Sequence, residues 1–349
     1  MKRRAAIALA LSILLLLIFI TLVGWEDVLD SIERASLPVY AVAVLGSLGT
    51  LVFRSAVWHR VLIVVDKRRP YWLIALIFAT ASFIKYVTPY GQIASGVGNA
   101  AIVNRYTGTS YEESLAAVVS ADALTYMPYY TFGIVGLFYV FGRLPPPVDP
   151  RPYIFPSIAI IGAVVVGIAL LWWGRARLAN AFVTAILAAR RLVARVSTKL
   201  AQRLTRENIE NRLEGFAVTL ELVSKDRRAM GIAMVAAHIG WLGLALALYA
   251  SASAVGSPIP FGVALLVVAL SKIGFIVPTP GGLGGVEATL AAAVYLLAPS
   301  AVGMTVATAT AIAILYRFAT YWLTIAIGGT ASLGLTVLDP QPPADGQRS

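Results

Sequence analysis

Residues 5–23 form an apolar run of about 19 residues without a single charge, close to the roughly 20 needed to cross a hydrocarbon core. Runs of similar character recur at 38–57, 71–87, 115–141, 153–173, 230–249, 261–277 and 303–335. Lipid offers no partner to a backbone N–H or C=O, so segments of this length must be helices. The chain is therefore predicted to be an all-α, polytopic integral membrane protein. Hydrophobic residues make up 59% and charged residues 13% of it, against about 45–50% and about 25% in soluble domains, which excludes a soluble globular enzyme. A cleaved leader competes for the first run, but that run is long for one and lacks a small-residue exit, so we read it as an anchor.

Charge sets the sidedness. Lys and Arg number 28 against 17 Asp and Glu, a net +11, and juxtamembrane cations collect on the cytoplasmic side. Glu26, Asp27, Asp30 and Glu33 face Arg34 alone, whereas Arg60, Lys67, Arg68 and Arg69 crowd the next loop, 59–69. The N-terminus and that loop are expected inside. The Arg- and Lys-rich segment 174–228 is expected to be cytoplasmic and amphipathic, lying on the inner leaflet or forming a solvated helical hairpin. The loops 142–152 and 251–260 then fall outside, and the polar tail 337–349 falls inside. This describes a multi-pass protein of the cell (plasma) membrane with both termini cytoplasmic.

Two apolar runs end at helix breakers. One stops at Thr88-Pro89-Tyr90-Gly91-Gln92, the other at Pro278-Thr279-Pro280-Gly281-Gly282-Leu283-Gly284-Gly285, and Pro and Gly both end helices. Tyr71 and Arg105 are assigned to the same side, so the chain between them crosses an even number of times, as a hairpin entering from the cytoplasm does. The second hairpin opens outward. The expected architecture is about six full transmembrane helices plus two Pro/Gly-broken re-entrant helical hairpins in an inverted repeat. A single domain, 1–336, holds the first helix–hairpin–helix repeat at 38–141 and the second at 229–336. Two ordinary kinked pairs of spans are the alternative, although Gly281-Gly282-Leu283-Gly284-Gly285 makes a poor surface loop. Inverted repeats in transporters place the binding site where broken half-helices meet.

An ionisable group at the bilayer centre costs about 2.5–3.5 kcal/mol on insertion scales. Arg54, Lys85, Asp122, His238, Lys272, Glu287 and Arg317 each need a reason to be there. Lys85 lies four residues before Pro89 and Lys272 eight before Pro280, so each hairpin carries a cation on the arm leading to its break. Such a pair suits a phosphate, and Arg54 and Arg317 on the flanking helices can hold its oxygens in bidentate fashion. The competing arrangement pairs Lys85 with Asp122 and Lys272 with Glu287, and lets Arg54 snorkel to the interface. Glu287 begins a half-helix, where the dipole favours a carboxylate; proton coupling is a second role for it. His238 reads as a hydrogen-bonded packing residue. Gln92, Asn99 and Asn104 either donate to a headgroup or hold the hairpin arms together. The candidate substrate-binding set is Arg54, Lys85, Pro89, Gly91, Gln92, Lys272, Pro280, Gly281, Gly282, Gly284, Glu287 and Arg317. No cofactor and no metal site are expected, since cysteine is absent and the two histidines, His59 and His238, are far apart.

The run from Ser271 through Pro278-Thr279-Pro280-Gly281-Gly282-Leu283-Gly284-Gly285-Val286-Glu287 resembles the P-x-P-G-G-x-G-x-x-E motif of the lysylphosphatidylglycerol synthase transmembrane region family, also called flippase-like. Tyr316-Arg317-Phe318-Ala319-Thr320-Tyr321-Trp322-Leu323, followed by Gly328, resembles that family's last helix. The resemblance extends over nearly the whole chain. It implies an integral membrane protein that moves lipids or lipid-linked saccharides between leaflets. Two departures stand out. The family's first hairpin usually reads P-x-x-x-G-E with an Arg soon after, whereas this chain has Pro89-Tyr90-Gly91-Gln92 with Arg105 further on, an amide in place of a carboxylate. The bifunctional relatives also add a soluble aminoacyl-transfer domain, and this sequence ends at Ser349, so lipid aminoacylation is not expected of it alone.

The expected function is translocation of a phosphate-bearing amphiphile, an anionic phospholipid or a polyprenyl-linked sugar, through a midplane site between the two breaks. A membrane-embedded lipid-modifying enzyme is the first alternative, but it needs a catalytic constellation and none is evident in the sequence. A scaffold for a separately encoded synthase or glycosyltransferase is the second. A nucleic-acid partner is not expected.

Overall fold

The computed structural model of the protein describes residues 25–65, 69–88, 91–142, 184, 205–298 and 303–338. The runs at 5–23 and 153–173, most of the basic segment 174–228 and the tail from 339 onward lie outside the described residues, as do Pro89 and Tyr90. The chain divides into two compact units, one of residues 1–142 with 222–349 and one of residues 143–221. The second is described at residues 184 and 205–221, so the helix Arg206–Lys225 falls mostly within it; the first holds every other element that follows.

Among the described residues there are only helices and the turns between them. In chain order they are α1 (Trp25–Glu33), α2 (Leu37–Val64), α3 (Tyr71–Val87), α4 (Gly91–Thr107), α5 (Tyr111–Phe141), α6 (Arg206–Lys225), α7 (Arg227–Ala254), α8 (Phe261–Leu270), α9 (Gly285–Leu297), α10 (Val306–Arg317) and α11 (Leu323–Thr336). A 3-10 turn, Ser271–Ile276, extends α8, a second one, Pro280–Gly282, precedes α9, and a π turn, Phe318–Trp322, joins α10 to α11. Five stretches are long and apolar enough to cross a membrane: Leu37–Val64, Tyr111–Phe141, Arg227–Ala254, Pro280–Leu297 and Val306–Thr336. Large apolar side chains such as Leu45, Phe138, Leu296 and Leu333 are exposed on the outer helix faces, which suits lipid and not water. The protein is a helical, polytopic membrane protein.

Local chemistry starts the helices where the sequence allows it. Ser110 accepts from the Glu113 N–H at 3.2 Å while the Glu113 carboxylate accepts from the Ser110 N–H at 3.0 Å, a reciprocal cap at the head of α5. Asp226 accepts from the Ala229 N–H at 2.9 Å and Thr305 from the Thr308 N–H at 3.0 Å, capping α7 and α10. α2 continues to Val64, so His59 and Arg60, assigned to a loop by charge alone, are helical. The continuous helix expected over 303–335 is interrupted by the π turn.

Helix lengths and starts recur in the two halves. An offset of 190 residues lays Leu37–Val64 on Arg227–Ala254, both 28 residues long, and the start of α3 at Tyr71 on the start of α8 at Phe261. Pro70 and Pro260 precede those two starts with nearly identical extended backbones, ψ 144° and 142°. The packing partners exchange accordingly: α2 lies along α7, α3 along α11, and α8 along α5. Each pair is antiparallel, since Gly46 meets Gly243 while Thr50 donates to the Gly240 carbonyl at 2.7 Å, Ala79 meets Gly328 while Tyr86 meets Tyr321, and Gly136 meets Leu266 while Gly133 meets Ala269. Two cores form, one around Trp58, Ile74, Ile77 and Val118, the other around Trp241, Leu248, Leu290 and Ile312, and each draws on both halves: Ala233, Ala237 and Leu335 join the first, Ala43 the second. α9 has 13 residues, and with the 3-10 turn before it makes up the 18-residue stretch Pro280–Leu297.

Small residues let these helices approach closely, as membrane interfaces require. A Cβ on Gly46 would sit 2.7 Å from the Gly243 carbonyl oxygen, so a branched side chain at Gly243 must push α2 and α7 apart. Gly243→Val is expected to cost about 1–3 kcal/mol by overpacking, read as a lowered melting temperature of the purified protein in detergent; an unchanged melt would contradict the α2–α7 register.

Candidate functional site

The second break explains its own sequence. Gly281, Gly282 and Gly284 have φ of 60°, 68° and 83°, a left-handed backbone that residues with a Cβ avoid. Gly281 also lies against the Tyr321 ring, and Gly274 and Gly285 face each other, all without room for a Cβ. Glu287 and Arg317, 2% and 5% exposed, tie this turn together. The Arg317 Nε donates to Glu287 Oε1 at 2.7 Å, and an Arg317 terminal nitrogen donates to the Gly281 carbonyl at 2.9 Å. The Gly284 N–H donates to the other Glu287 oxygen at 2.8 Å, and Thr279 Oγ1 donates to the Leu283 carbonyl at 2.8 Å. The guanidinium stacks over the Tyr321 ring, 4.0 Å from its centroid. Backbone groups freed by the break are thus satisfied by a buried ion pair rather than by lipid.

A second cluster lines a small, partly open cavity. Arg54 and Trp58 of α2 contribute, one helical turn apart, as do Phe78, Ala81, Ser82, Lys85 and Tyr86 of α3. Asn99 of α4, Asp122 and Tyr126 of α5, and Lys272 from the 3-10 turn after α8 complete the lining. Among the described residues, three cations therefore face one cavity that holds one carboxylate. Lys85 Nζ donates to the Tyr126 hydroxyl at 2.9 Å, and Asp122 accepts from the Trp58 indole N–H at 3.3 Å. Lys272 Nζ sits over the rings of Trp241 and Phe275, 5.2 and 5.1 Å from their centroids, a cation–π setting that holds an ammonium with no counter-charge. Gly240 makes room for the Arg54 stem, a Cβ there falling 3.3 Å from Arg54 Cγ. Two buried polar atoms of this lining, Arg54 Nε and Asn99 Oδ1, have no hydrogen-bond partner among the described residues.

The twelve candidate residues divide between these two places. Arg54, Lys85 and Lys272 meet at the cavity. Pro280, Gly281, Gly282, Gly284, Glu287 and Arg317 build the break, outside the cavity lining. Gly91 is the first residue of α4, its N–H donating to the Thr88 carbonyl at 2.9 Å, with no space for a Cβ against the Lys85 backbone. Pro89 and the Gln92 side chain lie outside the described residues. The alternative pairings fail: Glu287 bonds Arg317 and not Lys272, Lys85 bonds Tyr126 and not Asp122, and Arg54 turns to the cavity instead of snorkelling. His238 is a packing residue, bonded to Thr131 and the Met234 carbonyl and set edge-on to Phe132. Sequence reasoning missed Trp58, Tyr86 and Tyr126. For two of them the signal was helical spacing, Trp58 four residues after Arg54 and Tyr126 four after Asp122, which puts each on one face with a charge; Tyr86, next to Lys85, had no such signal.

Breaking the ion pair from one side is expected to be costly. Arg317→Met leaves Glu287 buried and uncompensated, a loss of about 3–5 kcal/mol, whereas adding Glu287→Gln to it removes both charges and should lose less than the sum of the single changes. Thermal unfolding of the four proteins in detergent measures the cycle; strictly additive losses would contradict the coupling.

A family model described as the lysylphosphatidylglycerol synthase TM region matches residues 5–328. A search of curated proteins finds no match. The match takes in both hairpins, the ion pair and every cavity residue, and it carries a lipid-related role for a membrane protein. The chain belongs to the lysylphosphatidylglycerol synthase TM region family.

Proposed function

We propose that the protein is a flippase-like translocase that takes the phosphate of a lipid headgroup into the cavity between Arg54, Lys85 and Lys272 while the acyl or polyprenyl tails stay in the bilayer. The observation that carries this reading is the excess of cations: three converge on a cavity with a single carboxylate, and Lys272 is steadied by rings and not by an acid. Unpaired cations are expensive inside a membrane protein, and a phosphate repays that cost with charge-assisted hydrogen bonds. The lining comes from both repeats, first-hairpin residues facing Lys272 of the second. A relative shift of the halves would alter access to the head, as in alternating-access transporters. The break held by Glu287 and Arg317 acts here as a fixed support, not as a ligand.

In proteoliposomes, wild-type protein is expected to move labelled anionic phospholipids or polyprenyl-phosphate sugars between leaflets. Lys272→Met and Lys85→Met should each slow this by about tenfold or more, since a hydrogen bond to a charged group is worth about 1.5–3 kcal/mol. Arg228→Gln, at an exposed position away from the cavity, should not. Movement of no lipid by folded protein, or wild-type rates in both lysine variants, would overturn the reading.

The orientation proposed with it places both termini and the basic segment in the cytoplasm of a plasma-membrane protein. The chain has no cysteine, so single introduced ones report sidedness. Gly142→Cys should react with an impermeant maleimide on intact cells and Arg228→Cys only after permeabilisation; the reverse pattern would invert the topology.

A further inference from the structure

The three cavity cations come from three different elements, yet one short stretch of α7 reaches all of them. Gly240 lies against the stem of Arg54, where a Cβ would fall 3.3 Å from Arg54 Cγ, and its carbonyl accepts from Thr50, one turn earlier on α2, at 2.7 Å. Trp241, the next residue, is 2% exposed and stands behind the cavity lining, not in it. Its ring carries Lys272 Nζ 5.2 Å from the centroid. The same ring packs edge-on to Tyr126, 6.5 Å between centroids. Tyr126 in turn holds Lys85, with its hydroxyl at 2.9 Å and with its face, 5.4 Å from Nζ. Two neighbouring rings thus join the lysine of the first hairpin to the lysine of the second.

Trp241 is itself pinned. Its indole N–H, a donor only, donates to the Thr125 carbonyl at 2.5 Å, three residues before Pro128, a proline inside α5. A proline supplies no N–H to the helix ladder, so α5 is one donor short in the turn where the indole binds. That bond fixes where the indole face points, and an indole face holds a cation better than any other ring. A phenyl ring offers a face without the anchor, and a leucine offers neither. We infer that Trp241 is the positioning residue of the phosphate site: anchored on the Thr125 carbonyl, it sets Lys272 against the Tyr126-held Lys85 without touching the ligand. This rests on the phosphate site proposed above and adds the residue that keeps its two hairpins in register. Because Trp241 acts through the lysines, its loss matters little once Lys272 is gone.

The test is binding of dihexanoyl phosphatidic acid, whose phosphate carries no further group, to the purified full chain in detergent, by calorimetry, with a thermal melt of each variant. Trp241→Leu should weaken binding about tenfold, the scale of one desolvated cation–π contact. Trp241→Phe, which keeps a ring face, should stay within about threefold of wild type. Lys272→Met should also weaken binding about tenfold, and Trp241→Leu added to it should cost no more than about threefold further, where independent residues would multiply to about a hundredfold. A multiplied loss overturns the inference, as does wild-type affinity in Trp241→Leu or a Trp241→Phe variant as weak as Trp241→Leu. If Trp241→Leu does not fold, the cycle is closed with Trp241→Phe, whose smaller loss should fall below about twofold in the Lys272→Met background; its full persistence there overturns the inference. The lysines report on the underlying reading separately. If wild type does not bind the probe, or Lys85→Met and Lys272→Met both bind it as wild type does, the phosphate site falls and the inference with it. If the lysines matter and Trp241 does not, the site stands and the inference alone falls.

Discussion

A helix interrupted within a membrane frees backbone groups that lipid cannot satisfy, and every other feature of the second hairpin follows from how this chain meets that demand. Arg317, from a helix 30 residues further along than Glu287, reaches the Gly281 carbonyl and the Glu287 carboxylate together, and Glu287 in turn holds the Gly284 N–H. The pair is buried and each partner also bonds the backbone of the turn, the condition under which an ion pair in a low-dielectric interior is tolerable. With the turn fixed, α8 and α9 can be short, Gly274 and Gly285 can touch, and the 3-10 turn that bears Lys272 is held at a defined place. Tyr321 extends the same support to the other hairpin, packing on Arg317 and meeting Tyr86 edge-on at 5.4 Å.

That arrangement separates two jobs given to charged residues in the membrane. Glu287 and Arg317 spend their hydrogen bonds on the protein's own backbone. Arg54, Lys85 and Lys272 are held by aromatic rings, a tyrosine hydroxyl and the stem contact at Gly240, which leaves their charge facing a cavity. Aromatic faces attract a cation without neutralising it. A site meant to receive an anion needs cations of this second kind.

Much of this was legible from residue order. Long apolar runs, the paired Pro/Gly breaks and the repeated helix–hairpin–helix pattern each rest on a local rule, and the helical, polytopic membrane class drawn from the runs is what the described residues show. Lys85 and Lys272 were legible as a pair because each precedes a break. Partner choice was not. Nothing local distinguishes Glu287–Lys272 from Glu287–Arg317; the answer depends on the Gly281 carbonyl pointing at α10, which is a property of the folded turn. The π turn at Phe318–Trp322 was equally hidden, since its residues read as ordinary apolar helix. Asn99 was visible as a polar residue on a weakly apolar arm, but only packing shows its oxygen without a donor among the described residues.

The central claim is that an anion belongs among Arg54, Lys85 and Lys272 and that the glycine-rich break is its support. The most direct measurement is a cryo-electron microscopy map of the protein in nanodiscs made with an anionic phospholipid. The account requires headgroup density in the cavity bounded by those three cations and Asn99, with the Arg317–Glu287 contact intact. Headgroup density seated on Arg317 and Glu287, with the cavity cations turned away from it, would contradict it.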